Sequence, residues 1–171
     1  MKQANLRRRG PAAARRIAGH AQEDHILDPY QRQQKLPDDT ICPQCGAVYH
    51  KGRWQWRPRL ENGHEAPCPA CRRINDKFPA GVIVLRGALG RQQKEEIVRL
   101  ARHQEEAEKS EHPLNRIITI EEDADAIVIN TTDIHLPRRI GEAVERALHG
   151  NLNEDFDNGG YFVRVNWTAR T

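Results

Sequence analysis

The chain has none of the long apolar segments that would place it in a membrane or direct it out of the cell. Its 171 residues contain no apolar run near the roughly 18 residues of a transmembrane helix. The N-terminus is basic, but the apolar stretch of a secretory signal does not follow it. We therefore expect a cytoplasmic protein with no membrane partner.

Apolar residues are scarce in general. They make up 37% of the sequence against 30% for charged residues, so we expect part of the chain to stay outside any packed core. Neither a P-loop nor a G-x-G-x-x-G phosphate-binding motif occurs. We therefore expect no small-molecule substrate.

The chain has few cysteines, and their spacing in the sequence is informative. The four cysteines form two C-x2-C pairs, Cys42 with Cys45 and Cys68 with Cys71. Each pair directs two thiolates to one point, and two pairs complete the tetrahedral four-sulfur shell that suits Zn²⁺. Unrelated free thiols and a redox motif are the alternatives, but a redox motif needs only a single pair. We predict one structural Zn²⁺, because four protein ligands leave no open position for catalysis.

Positive charge is concentrated in the first half of the chain. Residues 1–80 contain 15 Lys and Arg against 8 Asp and Glu, whereas residues 81–171 contain 12 against 16. A basic half favours a polyanionic partner, most simply RNA, because guanidinium groups contact phosphates and aromatic rings stack on unpaired bases. The candidate RNA-binding residues are Arg7, Arg8, Arg9, Arg15, Arg16, Arg53, Trp54, Trp56, Arg57, Arg72 and Arg73.

Each part of this set has a simpler alternative. The arginines near the N-terminus are equally consistent with a tail that only keeps the chain soluble. Trp54 or Trp56 is expected to pack if it covers the metal site or docks on the next domain, since aromatic side chains usually serve packing first.

Changes in composition divide the chain into three predicted segments. Residues 1–24 form a flexible basic arm, because a Gly-Pro pair interrupts any helix early. Residues 25–79 contain the zinc ribbon and its lead-in, with short strands at 47–50 and 54–56. Residues 80–171 form a separate α+β domain.

The apolar pattern of the α+β domain predicts six elements. They are a strand at 81–87, a helix at 91–111, strands at 116–121 and 126–131, a helix through Leu148 with Gly150 as its C-cap, and a strand at 161–167 after an acidic loop at 151–158. This is the βαββαβ order of a ferredoxin-like sandwich, in which both helices cover one face of four antiparallel strands. On the other face, Phe162 and Arg164 are candidates to meet RNA.

A short cluster with catalytic residue types lies before the last helix. Thr132, Asp133 and His135 combine a hydroxyl, a carboxylate and an imidazole. An enzyme that uses them is a third hypothesis, but Asp and Thr ahead of Pro137 are typical of a helix cap. We therefore expect a protein that is not an enzyme.

Five segments carry a resemblance to known proteins: residues 40–50 (TICPQCGAVYH), 52–54 (GRW), 68–74 (CPACRRI), 131–136 (TTDIHL) and 140–143 (IGEA). Together they resemble a family of short bacterial zinc-ribbon proteins with no established function. The match covers most of the chain from residue 25 to residue 168 and leaves out the basic arm.

More distantly, the two C-x2-C pairs followed by an α+β segment are similar to the N-terminal part of the archaeal and eukaryotic large-ribosomal-subunit export adaptors. That resemblance implies binding to ribosomal RNA or to a late ribosomal particle. This chain is much shorter than those adaptors and its Trp54-Gln55-Trp56 spacer is not part of their pattern, so export activity does not carry over.

These observations converge on one expected function. We expect a non-enzymatic zinc-ribbon protein that binds RNA, with ribosomal RNA or ribosomal proteins as its partners. The alternative is a zinc-stabilised adaptor that binds another protein without nucleic acid.

Overall fold

The structure is a computed structural model that describes residues 28–30, 35–59, 63–157 and 160–170. The basic arm predicted at 1–24, with its five candidate arginines, lies outside the described residues. Within the described ranges, no helix has both the length and the apolar character needed to cross a membrane.

The described chain is a mixed α+β structure with two sheets and three helices. In chain order the elements are β1 (Thr40–Ile41), β2 (Val48–His50), β3 (Arg53–Gln55), α1 (Pro69–Asp76), β4 (Gly81–Arg86), α2 (Arg91–Glu111), β5 (Ile117–Glu122), β6 (Ala126–Thr131), α3 (Leu136–Leu148), β7 (Gly150–Phe156) and β8 (Val163–Ala169).

The first unit is a small antiparallel sheet, β1-β2-β3, followed by α1. Lys51 and Gly52, both at positive φ, form the turn between β2 and β3. Strand β3 therefore begins at Arg53, one residue before the strand predicted at 54–56. The second cysteine pair begins α1 instead of forming the second metal-binding turn expected of a ribbon. The sequence carries a signal for this helix: Cys68 serves as N-cap, and Pro69 occupies the first helical position that proline favours.

The larger sheet corrects the ferredoxin-like prediction. It has five strands in the order β5-β6-β4-β8-β7, not four. The added strand is β7, which forms from the segment predicted as an acidic loop. Because β7 and β8 make an antiparallel hairpin, β8 enters the sheet parallel to β4 instead of antiparallel.

One end of α3 also differs from the prediction. The left-handed residue after the helix is His149, at φ 50°, and Gly150 already belongs to β7. A Cβ on Gly150 would lie 2.2 Å from the indole of Trp167. Glycine is therefore required at this position for close approach and not as a helix cap.

Most other predicted elements are present, although β5 begins one residue later and β8 two residues later than predicted. The strand at β4, the long helix α2 and the strand β6 have the expected positions, and α2 ends two residues before Pro113. Val163, Val165 and Trp167 are buried on one face of β8, as their alternation predicts. Arg164 is exposed on the opposite face, with its guanidinium 5.7 Å from the ring centre of Phe162.

Candidate metal centre and the basic hairpin

The four cysteine sulfurs converge on one point. All four ligand atoms lie within 4.8 Å of one another, and Cys45 Sγ lies 3.8 Å from Cys68 Sγ. Zn–S bonds of about 2.3 Å in a tetrahedron place neighbouring sulfurs about 3.8 Å apart. The cysteines therefore form a group that could hold a metal ion, and both their chemistry and their spacing fit Zn²⁺.

The first pair sits on a tight turn between β1 and β2. The amide of Gly46 donates to the carbonyl of Cys42 at 2.9 Å, and the amide of Cys42 donates to the carbonyl of Ala47 at 2.8 Å. Gly46 has φ 78°, a conformation in which glycine carries no steric penalty. This curl of the backbone aims Cys42 and Cys45 at the same point.

The second pair comes from the first turn of α1. The amide of Cys71 donates to Cys68 Sγ at 3.4 Å, so Cys68 caps the helix with its sulfur. The amide of Cys68 donates to Cys42 Sγ at 3.3 Å, which ties the two pairs together. The free amides and the positive end of a helix dipole both favour thiolates at this position.

A buried arginine from the α+β half covers the sulfur cluster. The guanidinium of Arg116 donates to Cys45 Sγ at 3.2 Å and to Cys68 Sγ and Cys71 Sγ at 3.4 Å each. Arg116 is only 8% exposed. It precedes β5 and is 45 residues from Cys71 in sequence, so no local pattern pointed to it.

Hydrogen bonds and burial set the protonation of the sulfurs. The hydrogen bond from Cys68, together with the charge of Arg116, lowers the pKa of Cys45 to about 4. The bond to Cys45 and burial raise the pKa of Cys68, and burial raises the pKa of Cys71 despite the nearby Arg116. A metal ion bound by these sulfurs would displace protons from Cys68 and Cys71, because thiolates are the form that ligates metals.

The two candidate tryptophans are engaged in packing. Trp54 is half-buried, packs against the cysteine cluster together with Leu114, and meets the ring of Tyr49 edge-on at 5.6 Å. The indole N–H of Trp56 donates to the carbonyl of Lys109 on α2 at 2.6 Å, although this side chain is 40% exposed. Trp54 thus covers the metal site and Trp56 docks on the next domain, which are the alternatives that the sequence left open.

Arg73 is not placed where a phosphate could reach it. It is 3% exposed, and its guanidinium forms an ion pair with Asp28. The same group donates to the carbonyl of Phe78 at 3.2 Å and lies 4.4 Å from the ring centre of Tyr30. This buried, paired position argues against the prediction that Arg73 binds RNA, because a phosphate would have to displace Asp28 in the interior.

The remaining described arginines of the set lie nearer the surface. Arg72 is half-buried, with its guanidinium 5.1 Å from the ring centre of Tyr30. Arg53 and Arg57 are exposed on and just after β3, and neither forms an ion pair with another described residue. The structure therefore brings together a cysteine cluster and an exposed basic hairpin.

The cluster before α3 has structural roles. Asp133 Oδ2 accepts from the amides of His135 and Leu136 at 2.7 and 3.0 Å, so Asp133 serves the start of α3 as predicted, although the N-cap residue itself is His135. Thr132 Oγ1 donates to the carbonyl of Leu114 at 2.6 Å. Burial raises the pKa of Asp133 despite these amide contacts.

A groove of about 840 Å³ separates the basic hairpin from α2 and α3. Arg53 and Trp54 line one side, and Glu111, Arg139 and Glu142 line the other. Side chains of both signs therefore share this surface.

Comparison with protein-family models, with curated proteins and with solved structures finds no match to this chain. The resemblance to short bacterial zinc-ribbon proteins therefore stays a prediction. The arrangement has to be interpreted from its own geometry.

Proposed function

We propose that the four cysteines bind one Zn²⁺ with a structural role. The support is the convergence of four sulfurs within 4.8 Å of one another, which supplies the four ligands that close the shell of a structural zinc site. The metal holds together a unit whose own apolar content is small, and the Cys42 turn and the start of α1 are fixed by it.

We further propose that this unit is a non-enzymatic, cytoplasmic RNA-binding module that acts on ribosomal RNA or a ribosomal particle. The observation that carries this proposal is the pair of exposed arginines, Arg53 and Arg57, on and just after β3, in the same small unit as the four-cysteine group. Such groups are ready to contact phosphates because no carboxylate of the described chain is paired with them. The arginines of the segment 1–24 add to the same charge.

The test is RNA binding by the zinc-loaded full-length chain as a function of salt. The double variant Arg53→Gln with Arg57→Gln should weaken binding, and it should reduce the slope of log K against log salt by about 1.4, the value for two lost phosphate contacts on single-stranded RNA. The matched control is Arg86→Gln with Arg146→Gln, which removes two exposed arginines from the α+β half.

Sedimentation of ribosomes at low and high salt extends the test to the partner. Co-sedimentation that is lost at high salt supports the proposal. Absent or salt-insensitive association, or equal loss in both double variants, would reject the hairpin as the RNA contact.

The groove beside the hairpin favours a second candidate function, a zinc-stabilised protein adaptor. Its wall carries Glu111 and Glu142 as well as Arg53 and Arg139. Carboxylates repel a phosphate backbone, whereas a surface of both signs suits a folded protein or a peptide. A stoichiometric protein partner that survives nuclease treatment and is lost with Glu111→Lys and Glu142→Lys would favour this function.

A further inference from the structure

Arg116 is buried at the cysteine cluster and is not one of the exposed arginines of the basic hairpin. Four thiolates and one Zn²⁺ carry a net charge of about −2. Cys42, Cys68 and Cys71 are buried, so this charge is held away from water. A buried charge without compensation is strongly destabilising, so the site needs a counter-charge from the protein.

The guanidinium of Arg116 lies where this positive counter-charge is needed. Its guanidinium reaches three of the four sulfurs at 3.2 to 3.4 Å. Hydrogen bonds that involve charged partners are stronger than neutral ones, and the planar fork of arginine allows several at once. No lysine or other arginine among the described residues donates to a cysteine sulfur.

The arginine is held in place by the α+β half. Its Nε donates to the carbonyl of Pro113 at 2.7 Å, and its backbone amide donates to Thr132 Oγ1 at 2.9 Å. The amide of Thr132 donates in turn to the carbonyl of Arg116 at 2.9 Å. Thr132 therefore fixes the backbone of Arg116 at the edge of the large sheet.

We propose that Arg116 is a positioning residue that stabilises the charged metal–thiolate cluster and couples metal binding to the docking of the two halves of the chain. This inference depends on the zinc part of the proposed function and not on RNA. Because linkage is reciprocal, the free energy that docking of the two halves adds to metal binding equals the free energy that metal binding adds to docking.

The experiment compares the zinc affinity of full-length variants by competition with a chromophoric chelator at fixed pH. Arg116→Met keeps much of the apolar stem but removes the charge and the donors, and loss of such a partner typically costs 10–100-fold in metal affinity. Arg116→Lys keeps the charge without the fork, so its loss should be smaller. The control Arg86→Met removes an exposed arginine and should bind zinc as the wild type does.

A second measurement is the effect of zinc on amide hydrogen exchange, which should not change if Arg116 only fills space in the interior. Zinc should slow amide exchange in β5 and β6 of the wild type, and this response should shrink in Arg116→Met. Wild-type affinity in a folded Arg116→Met variant would overturn the proposal. If that variant does not fold, the Lys variant decides: unchanged affinity and an unchanged exchange response there reject the role of Arg116.

The wild type in the same titration separates this inference from the proposed function. A wild type that does not bind zinc rejects the metal site itself. A wild type that binds zinc but not RNA rejects only the RNA proposal and leaves the comparison of Arg116 variants intact.

Discussion

Each of the two halves of the molecule is stabilised in a different way. In the first, the buried cluster at the four cysteines consists of Cys42, Cys68, Ala70 and Cys71, and the larger buried apolar side chains of this half are few, among them Ile41 and Val48. In the second, a continuous core of branched aliphatic side chains and Trp167 fills the space between one sheet and two helices. Apolar burial stabilises the second half by itself, whereas the first needs cross-links between its turns.

The comparison also shows where the halves meet. Arg116 reaches from the α+β half to the sulfurs, and Trp56 reaches from the hairpin to α2. Apart from Leu114, which packs against the cysteine cluster, these are polar contacts of single side chains and not a shared apolar core. We therefore expect the halves to lose structure separately while still influencing one another.

Metal removal should give the largest effect and the clearest contrast. Chelation, or Cys68→Ser, should abolish amide protection in β1, β2, β3 and α1, because structural Zn²⁺ supplies about 10–16 kcal/mol in small zinc units. Protection in β4 and β8 should persist. Hydrogen exchange monitored residue by residue checks this outcome.

The reverse experiment is the core variant Ile129→Ala, which should cost about 2–5 kcal/mol in the α+β half. Its zinc unit should remain protected. If chelation instead melted the whole chain in one transition, the halves would share one cooperative core, and the boundary predicted at residue 80 would be wrong.

A smaller effect is expected at the ion pair behind the metal unit. Arg73→Met removes a buried guanidinium and leaves Asp28 without its partner, which should lower the free energy of unfolding by about 3 kcal/mol. Denaturant unfolding of the zinc-loaded chain measures this change. The neighbouring Arg72→Met loses only a partly exposed cation–π contact, about 0.5–1 kcal/mol, and serves as the control. Equal effects of the two variants would contradict the distinction between interior and surface arginine.

The smallest effect is a pH dependence inside the α+β half. Burial raises the pKa of Asp133 above its ordinary value of 3.8, so the folded state binds this proton more tightly than the unfolded state. The contribution of Asp133 to stability is therefore greatest at low pH and falls as the pH rises from below 3.8 through the raised pKa.

Asp133→Asn keeps an acceptor for the two amides of α3 but cannot ionise. Thermal unfolding at several pH values should show the wild type losing stability relative to this variant as the pH rises. A difference that does not change with pH, or one of opposite sign, would contradict the raised pKa.

Local patterns predicted a large part of this fold. Helix α2 and strands β4 and β6 were located by the period of their apolar residues, and the alternation in β8 identified its buried face. Strand β7 was missed because Leu152 is its only apolar residue before Phe156, so it has the composition of a loop. β7 is the edge strand beside β8, and most of its side chains are exposed or half-buried, so it carries almost no apolar pattern.

The two C-x2-C spacings predicted a four-sulfur metal site, because each two-residue gap brings its own pair of sulfurs together, and the fold brings the two pairs within 4.8 Å. Only the tertiary structure decided which arginines are buried and which are exposed. Arg73 and Arg116 are each 45 residues from the partners that bury them, Asp28 and Cys71. Arg73, Arg116 and Arg53 have the same side chain, so only the path of the folded chain decides which of them are buried and which is exposed.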